Sequence, residues 1–172
     1  MNLSQIWTSA TAVFCLAGLL QFAPSQTRGD KGIMKLEQNK AIVRDYLNEI
    51  VNKGNMSAFN TFFSEDVVFN EATNFREQYP ARMQAIRGAF PDHHLTIRDQ
   101  IAEGDKVVTR VTFHGTHSGS FNGMPATGKQ VEWSGIAMDR IANGKVVEMW
   151  HIQNTASLMQ QIGATPPPAP GR

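Results

Sequence analysis

Cysteine is nearly absent from this 172-residue chain, which carries one, Cys15. That excludes a disulfide framework and any cysteine-based zinc site. Charge of one sign is missing too: 16 Lys and Arg stand interspersed with 15 Asp and Glu, for a formal net charge of +1. Such a balance gives no electrostatic reason to expect nucleic acid or an acidic partner. No internal repeat runs through the sequence, and residues 123–128 lack both the spacing and the following helix of a phosphate cradle. The histidines do not make good the missing metal donors. His114 and His117 are three apart on one strand and face opposite ways, and His93 and His94 are adjacent and diverge. No metal is therefore expected. What is left is one domain, long enough for a core, that handles a small molecule.

A long apolar run occurs at residues 6–22, about the length of a secretory core and short for a membrane span. Ala23-Pro24-Ser25 then offers small residues for cleavage before Gln26, although no Lys or Arg precedes the run. Residues 1–25 are expected to be a leader that exports the chain to a periplasmic or secreted location. An uncleaved anchor, the chain's one membrane contact, is the alternative. Residues 26–35 read as a linker, and 165–172, dominated by proline, as an extended, disordered tail.

Between these, Val43, Tyr46, Leu47, Ile50 and Val51 recur at helical spacing, predicting a helix from Leu36 that Gly54 stops. Residues 57–63 read as a short helix, followed by a brief extended piece that ends at Asn70. Tyr79, Met83, Ile86 and Phe90 predict a third helix with Pro80 at its first position and Pro91 beyond its end. The period then changes to two, with strands over 95–101 and 106–117, a loop over 118–129 and a closing helical turn near Leu158. Helices first and an antiparallel meander after is an α+β order, a curved sheet with helices on one face.

The sheet ends in a hairpin over residues 131–154. Asn143-Gly144 between apolar runs predicts a type I′ turn with Ala142 opposite Lys145. Carried outward, that register pairs Asp139 with Glu148, Ala137 with Trp150, Gly135 with Ile152 and Trp133 with Asn154. One face would then hold Trp133, Trp150, Ile152 and Asn154 around small Gly135 and Ala137, an apolar pocket with polar groups aimed into it. His151 falls on the opposite face, available to packing or another subunit.

Three stretches carry a family resemblance: Gly115-Thr116-His117-Ser118-Gly119; Gly123-Met124-Pro125-Ala126-Thr127-Gly128-Lys129; and Arg140, then Asn143-Gly144-Lys145-Val146-Val147-Glu148-Met149-Trp150. With Ala89-Phe90-Pro91-Asp92 before the sheet and Gln160-Gln161-Ile162-Gly163-Ala164 after it, the chain closely resembles the SnoaL-like polyketide cyclases, or ester cyclases, of the nuclear transport factor two-like superfamily. The resemblance covers about residues 39–164 and assigns a domain over 36–164. It implies a cone-shaped α+β barrel with an apolar cavity, commonly a homodimer, that uses no metal or organic cofactor.

The resemblance also implies an aspartate general acid–base just after the last-strand Trp, in an intramolecular aldol ring closure. Here that position is Asn154, and an amide takes no proton near neutral pH. Asn70 matches a polar pocket position suited to orienting a carbonyl. His117, Asp139 and Glu148 are the remaining side chains able to move protons. A shared dry site would raise one carboxyl's pKa, whereas Arg140, Lys145 and solvent near the turn would screen both. Two functions follow. One is a cyclase or isomerase-type enzyme acting on a small hydrophobic carbonyl compound, with Asn154, His117 and Asp139 as catalytic candidates and Asn70, Trp133, Trp150 and Ile152 as ligand contacts. The other is a non-catalytic small-molecule binder that has lost its base. A dimerisation module whose cavity is filled by its own side chains is a third.

Overall fold

The computed structural model describes residues 28–164; the expected leader and tail lie outside the described residues. Helix α1 runs Arg28–Tyr46 and continues as a wider turn, Leu47–Asn52, before Gly54 at φ +69°. It begins at Arg28 rather than Leu36, so most of the expected linker is helical. Residues 29–35 are exposed, and a helix without a buried stripe leaves no apolar period to read. From Val43 onward the stripe exists and is core: Val43, Tyr46, Leu47, Ile50 and Val51 are all buried.

The single turn α2, Phe59–Phe62, hands over at once to strand β1, Phe63–Phe69. Phe63 itself is extended, fully buried and stacked on Phe59 at 4.6 Å. Helix α3 spans Phe75–Ala89, so Pro80 lies inside it rather than at its first position. There the proline leaves the Arg76 carbonyl without its i+4 donor. The added first turn is held by tertiary contacts that no helical period announces: Phe75 packs against Tyr79 at 4.7 Å, and Arg76 donates to the Ser64 carbonyl at 2.8 Å.

Strands β2 (His94–Glu103), β3 (Lys106–Thr116), β4 (Gln130–Ala142) and β5 (Lys145–Gln153) complete a five-stranded sheet in the order β1-β5-β4-β3-β2. β1 lies parallel to β5 and the other pairs are antiparallel. The result is the α+β architecture expected, an open, curved, mixed sheet. Helix α4, Thr155–Ile162, ends at Gly163 with φ +96°. On the outer strand β2, the Asn52 side chain donates to the Leu95 carbonyl at 3.0 Å and accepts from the Leu95 N–H at 2.7 Å.

The β4–β5 turn forms as predicted, with Asn143 and Gly144 at φ 51° and 74° and Ala142 facing Lys145. The register beyond it does not. Ile141 pairs with Val146 but Arg140 pairs with Glu148, leaving Val147 as an extra residue. A one-residue slip moves every later side chain to the other face. Asp139 therefore faces Met149, Ala137 faces His151 and Gly135 faces Gln153. The uninterrupted register would have set the Glu148 and Asp139 carboxylates together in a dry wall. The bulge instead puts Glu148 outside, 2.8 Å from the Arg140 guanidinium. Trp150 and Ile152 go with it and stand 40 % and 78 % exposed.

Candidate active site

The inner face of β4 presents Trp133, Gly135, Ala137 and Asp139, and the bulge brings Met149, His151 and Gln153 of β5 beside them. Helices α1 and α3 roof this surface with Tyr46, Tyr79 and Met83. Between roof and sheet lies an inner chamber of about 60 Å³, and against it an outer one of about 450 Å³ that reaches Ser120, Asn122 and Thr155. Arg82, Ile86, Trp133, His151 and Gln153 form the wall common to both. The outer chamber, with its mixed polar and apolar lining, has the size of a small-molecule site, and the smaller inner one is the more apolar.

Asp139 is fully buried, and its carboxylate oxygens accept from the Tyr46 hydroxyl at 3.1 and 3.2 Å. Burial pushes its carboxyl up to about 7, a rise that the Tyr46 hydrogen bond partly offsets. The Tyr46 hydroxyl is raised well above its usual range, first by burial and then by the Asp139 charge. Tyr46 lines the inner chamber while Asp139 sits behind it. Tyr46 is therefore the member of the pair that borders the chamber.

Two neutral imidazoles share the chamber. Burial lowers His93 and His151 to about 4 each. Their rings flank Phe113, with centroids at 5.6 and 5.9 Å. His93 Nδ1 and His151 Nε2 are buried without a hydrogen-bond partner. A buried polar atom left unpaired costs about 1–3 kcal/mol, so these two stand ready for a ligand oxygen. Gly135 makes room for one of them: a Cβ there would meet His151 Nε2 at 3.1 Å and Phe113 at 2.9 Å. Among the described residues no group of three or more His, Cys, Asp or Glu is placed to hold a metal ion.

Of the residues singled out in the sequence, Trp133 lines both chambers, with its indole N–H donating to Gln153 Oε1 at 2.9 Å, and Asp139 lies one hydroxyl away. The others are elsewhere. Trp150 and Ile152 are on the outer face, because of the Val147 bulge. Asn154 is exposed and caps α4, accepting from the Ser157 N–H at 3.0 Å. Asn and Asp cap equally well, so the exchange of one for the other at this position falls outside the cavity. Asn70 spends its side chain on β5, donating to the His151 carbonyl at 3.1 Å and accepting from the His151 N–H at 2.8 Å. Asn70 is exposed and lines neither chamber. His117 is fully buried but borders neither chamber. It packs on Phe90 at 5.3 Å and bonds Thr127 Oγ1 at 3.0 Å, pinning the loop between β3 and β4.

Tyr46, His93, His151 and Gln153 escaped the sequence reading. Tyr46 carried a signal, since a tyrosine on a wholly apolar helical stripe needs a partner for its hydroxyl. His151 and Gln153 were hidden by the bulge, and His93 by its adjacency to exposed His94.

Residues 41–162 match the model of the SnoaL-like polyketide cyclase family. Among solved structures, the chain is 29 % identical to AclR, a proposed hydroxylase of Streptomyces galilaeus, over 76 % of this chain and 99 % of that one, with a TM-score of 0.69. It is 28 % identical to IdmH, a proposed polyketide cyclase of Streptomyces antibioticus, over 73 % and 99 %, at 0.67. TsrD of Streptomyces laurentii, 24 % identical over 75 % and 97 % with a TM-score of 0.66, shares the fold. No curated protein matches the chain.

Proposed function

Because this chain belongs to the SnoaL-like polyketide cyclase family, we propose that it is an enzyme moving protons on a small hydrophobic carbonyl compound, an enolisation or ring closure without a cofactor. The observation that carries this reading is the buried Asp139 carboxyl, whose hydrogen-bond partner Tyr46 borders the cavity. With Asp139 ionised, Tyr46 Oη takes the proton from the carbon beside the substrate carbonyl while its own O–H proton passes to Asp139. Reversing both transfers returns a proton to the product. The enolate oxygen is met by an N–H of His93 or His151, neutral donors that need no deprotonation of their own. A base with a pKa near 7 suits such a transfer, since it is neither too weak to act nor permanently protonated.

The test is hydrogen–deuterium exchange at the α-carbon of 1-indanone and of a β-keto ester, followed by NMR in deuterated buffer. Exchange above the buffer rate is expected, rising as pH increases through about 7 as Asp139 ionises. It should fall about 100-fold in Asp139→Asn, with Tyr46→Phe falling in parallel. Saturable binding with no exchange would overturn catalysis and leave the non-catalytic binder. The open chambers argue against a cavity filled by its own side chains.

Two further expectations belong with this proposal. We propose a homodimer through the outer sheet face, where Ile136, Trp150 and Ile152 are exposed together; light scattering on native chain and Trp150→Asp decides it. We also propose export by residues 1–25, on the sequence alone, with a mature N-terminus at Gln26 checked by mass spectrometry.

A further inference from the structure

Tyr79, Met83 and Ile86 form the cavity-facing stripe of α3, and Arg82 lies on that stripe, three residues after Tyr79 and four before Ile86. Arg82 itself is exposed, so its guanidinium stands at the rim of the cavity, where the stripe meets solvent. The other arginines of the helix have structural duties: Arg76 donates to the Ser64 and Glu65 carbonyls, and Arg87 to those of Val51 and Asn52. Arg82 is not tied down in this way. Its guanidinium lies over the Phe69 ring, 5.3 Å from the centroid, and among the described residues it makes no ion pair. It stands in the wall common to both chambers, and no carboxylate lines either one, Asp139 being behind Tyr46. After burial, which raises Tyr79 and lowers His151, the Arg82 charge is the next influence on each, so the surrounding walls feel it.

The geometry points to a substrate that is itself an acid: a flat, apolar carbonyl compound with a carboxylate that Arg82 grips at the throat while the carbonyl end reaches Tyr46. This rests on the reading of the cavity given above, and adds the charge of the substrate and the residue that reads it. A guanidinium fork matches a carboxylate in shape, and one cation neutralises one anion. A phosphate ester would bring a second negative charge, and no second Lys or Arg among the described residues lines either chamber to meet it. Phe90, Phe121 and Trp133, the aromatic rings that line the outer chamber, favour a planar body. The outer chamber holds the bulk of such a molecule; the inner one admits only its reacting end.

Titration calorimetry with the full chain tests this, using 2-naphthoate and its neutral near-isostere 2-naphthamide as probes, on native protein, Arg82→Gln and Arg82→Lys. Native protein is expected to bind the acid about tenfold more tightly than the amide at low salt. Arg82→Gln should erase that preference, with its denaturant unfolding midpoint as the control for folding; Arg82→Lys should keep part of it. Equal affinities in the native protein, or a preference surviving Arg82→Gln, would overturn the assignment while amide binding still upheld the cavity reading. Binding of neither probe would overturn both.

Discussion

On the inner face of the β4–β5 ribbon Trp133 and Asp139 are almost wholly shut from solvent, whereas on the outer face Trp150 and Ile152 stand in it. Each face holds a tryptophan with a satisfied N–H: Trp133 donates to Gln153 at 2.9 Å and Trp150 to Glu148 at 3.0 Å. Their rings differ in company. Trp133 touches Phe90, His93 and Phe113, while no ring contact is found for Trp150 among the described residues. An indole on a late strand therefore does not by itself mark a pocket. Which one does is settled by the single extra residue Val147, which exchanges the faces of everything after it.

Substitutions can break this contrast or sharpen it. The largest effect is expected from Trp133→Ala, which should cost about 3 kcal/mol in denaturant unfolding, a large aromatic lost from a packed wall. Next comes the pH dependence of Asp139. Between its ordinary 3.8 and about 7 the folded chain keeps a proton that the unfolded chain has released, so the stability it contributes is complete below 3.8 and lost as pH rises through 7. Asp139→Asn should therefore gain on the native chain by a few kcal/mol between acid and neutral unfolding curves. His93 and His151 work the other way. Their unfolded imidazoles protonate below 6.5 and the folded ones only near 4, so stability is lost as pH falls across that window, and His151→Gln should flatten the acid limb.

Smaller effects belong to the outer face. Asn154→Ala should cost about 1 kcal/mol as a lost helix cap, and Asn154→Asp almost nothing, with proton exchange on the probes unchanged in both. Trp150→Ala should alter monomer stability by less than about 0.5 kcal/mol, leave naphthamide binding intact and weaken self-association. A loss of probe binding in Trp150→Ala would mean that the outer face takes part in the site after all.

The fold was largely legible because its signals are local: helical stripes through Tyr46 and Met83, alternation in β3 and the Asn143-Gly144 turn. Their order along the chain, helices and then alternating strands, gave the α+β class. The site was legible only on β4, where Trp133 and Asp139 keep the inferred face. On β5 the bulge left no mark in Lys145-Val146-Val147-Glu148, since either valine can be the buried one and only the carboxylate conflict with Asp139 decides between them. Asn70 and Asn154 were placed in the site by the family resemblance, which matches positions along the chain and not side-chain partners. Each is in fact occupied with backbone, an assignment that depends on where distant segments pass.

The small contact between Asn52 and Leu95 reaches beyond one molecule. β2 is an outer strand, and the N–H and C=O groups along a strand's free margin are a template on which a second chain can lengthen the sheet. By taking up both main-chain groups of Leu95, the Asn52 amide acts as one rung of a neighbouring strand that is never built. The wide turn after Tyr46 delivers it there. A residue remote from the chemistry thus closes one place at which a second chain could extend the sheet.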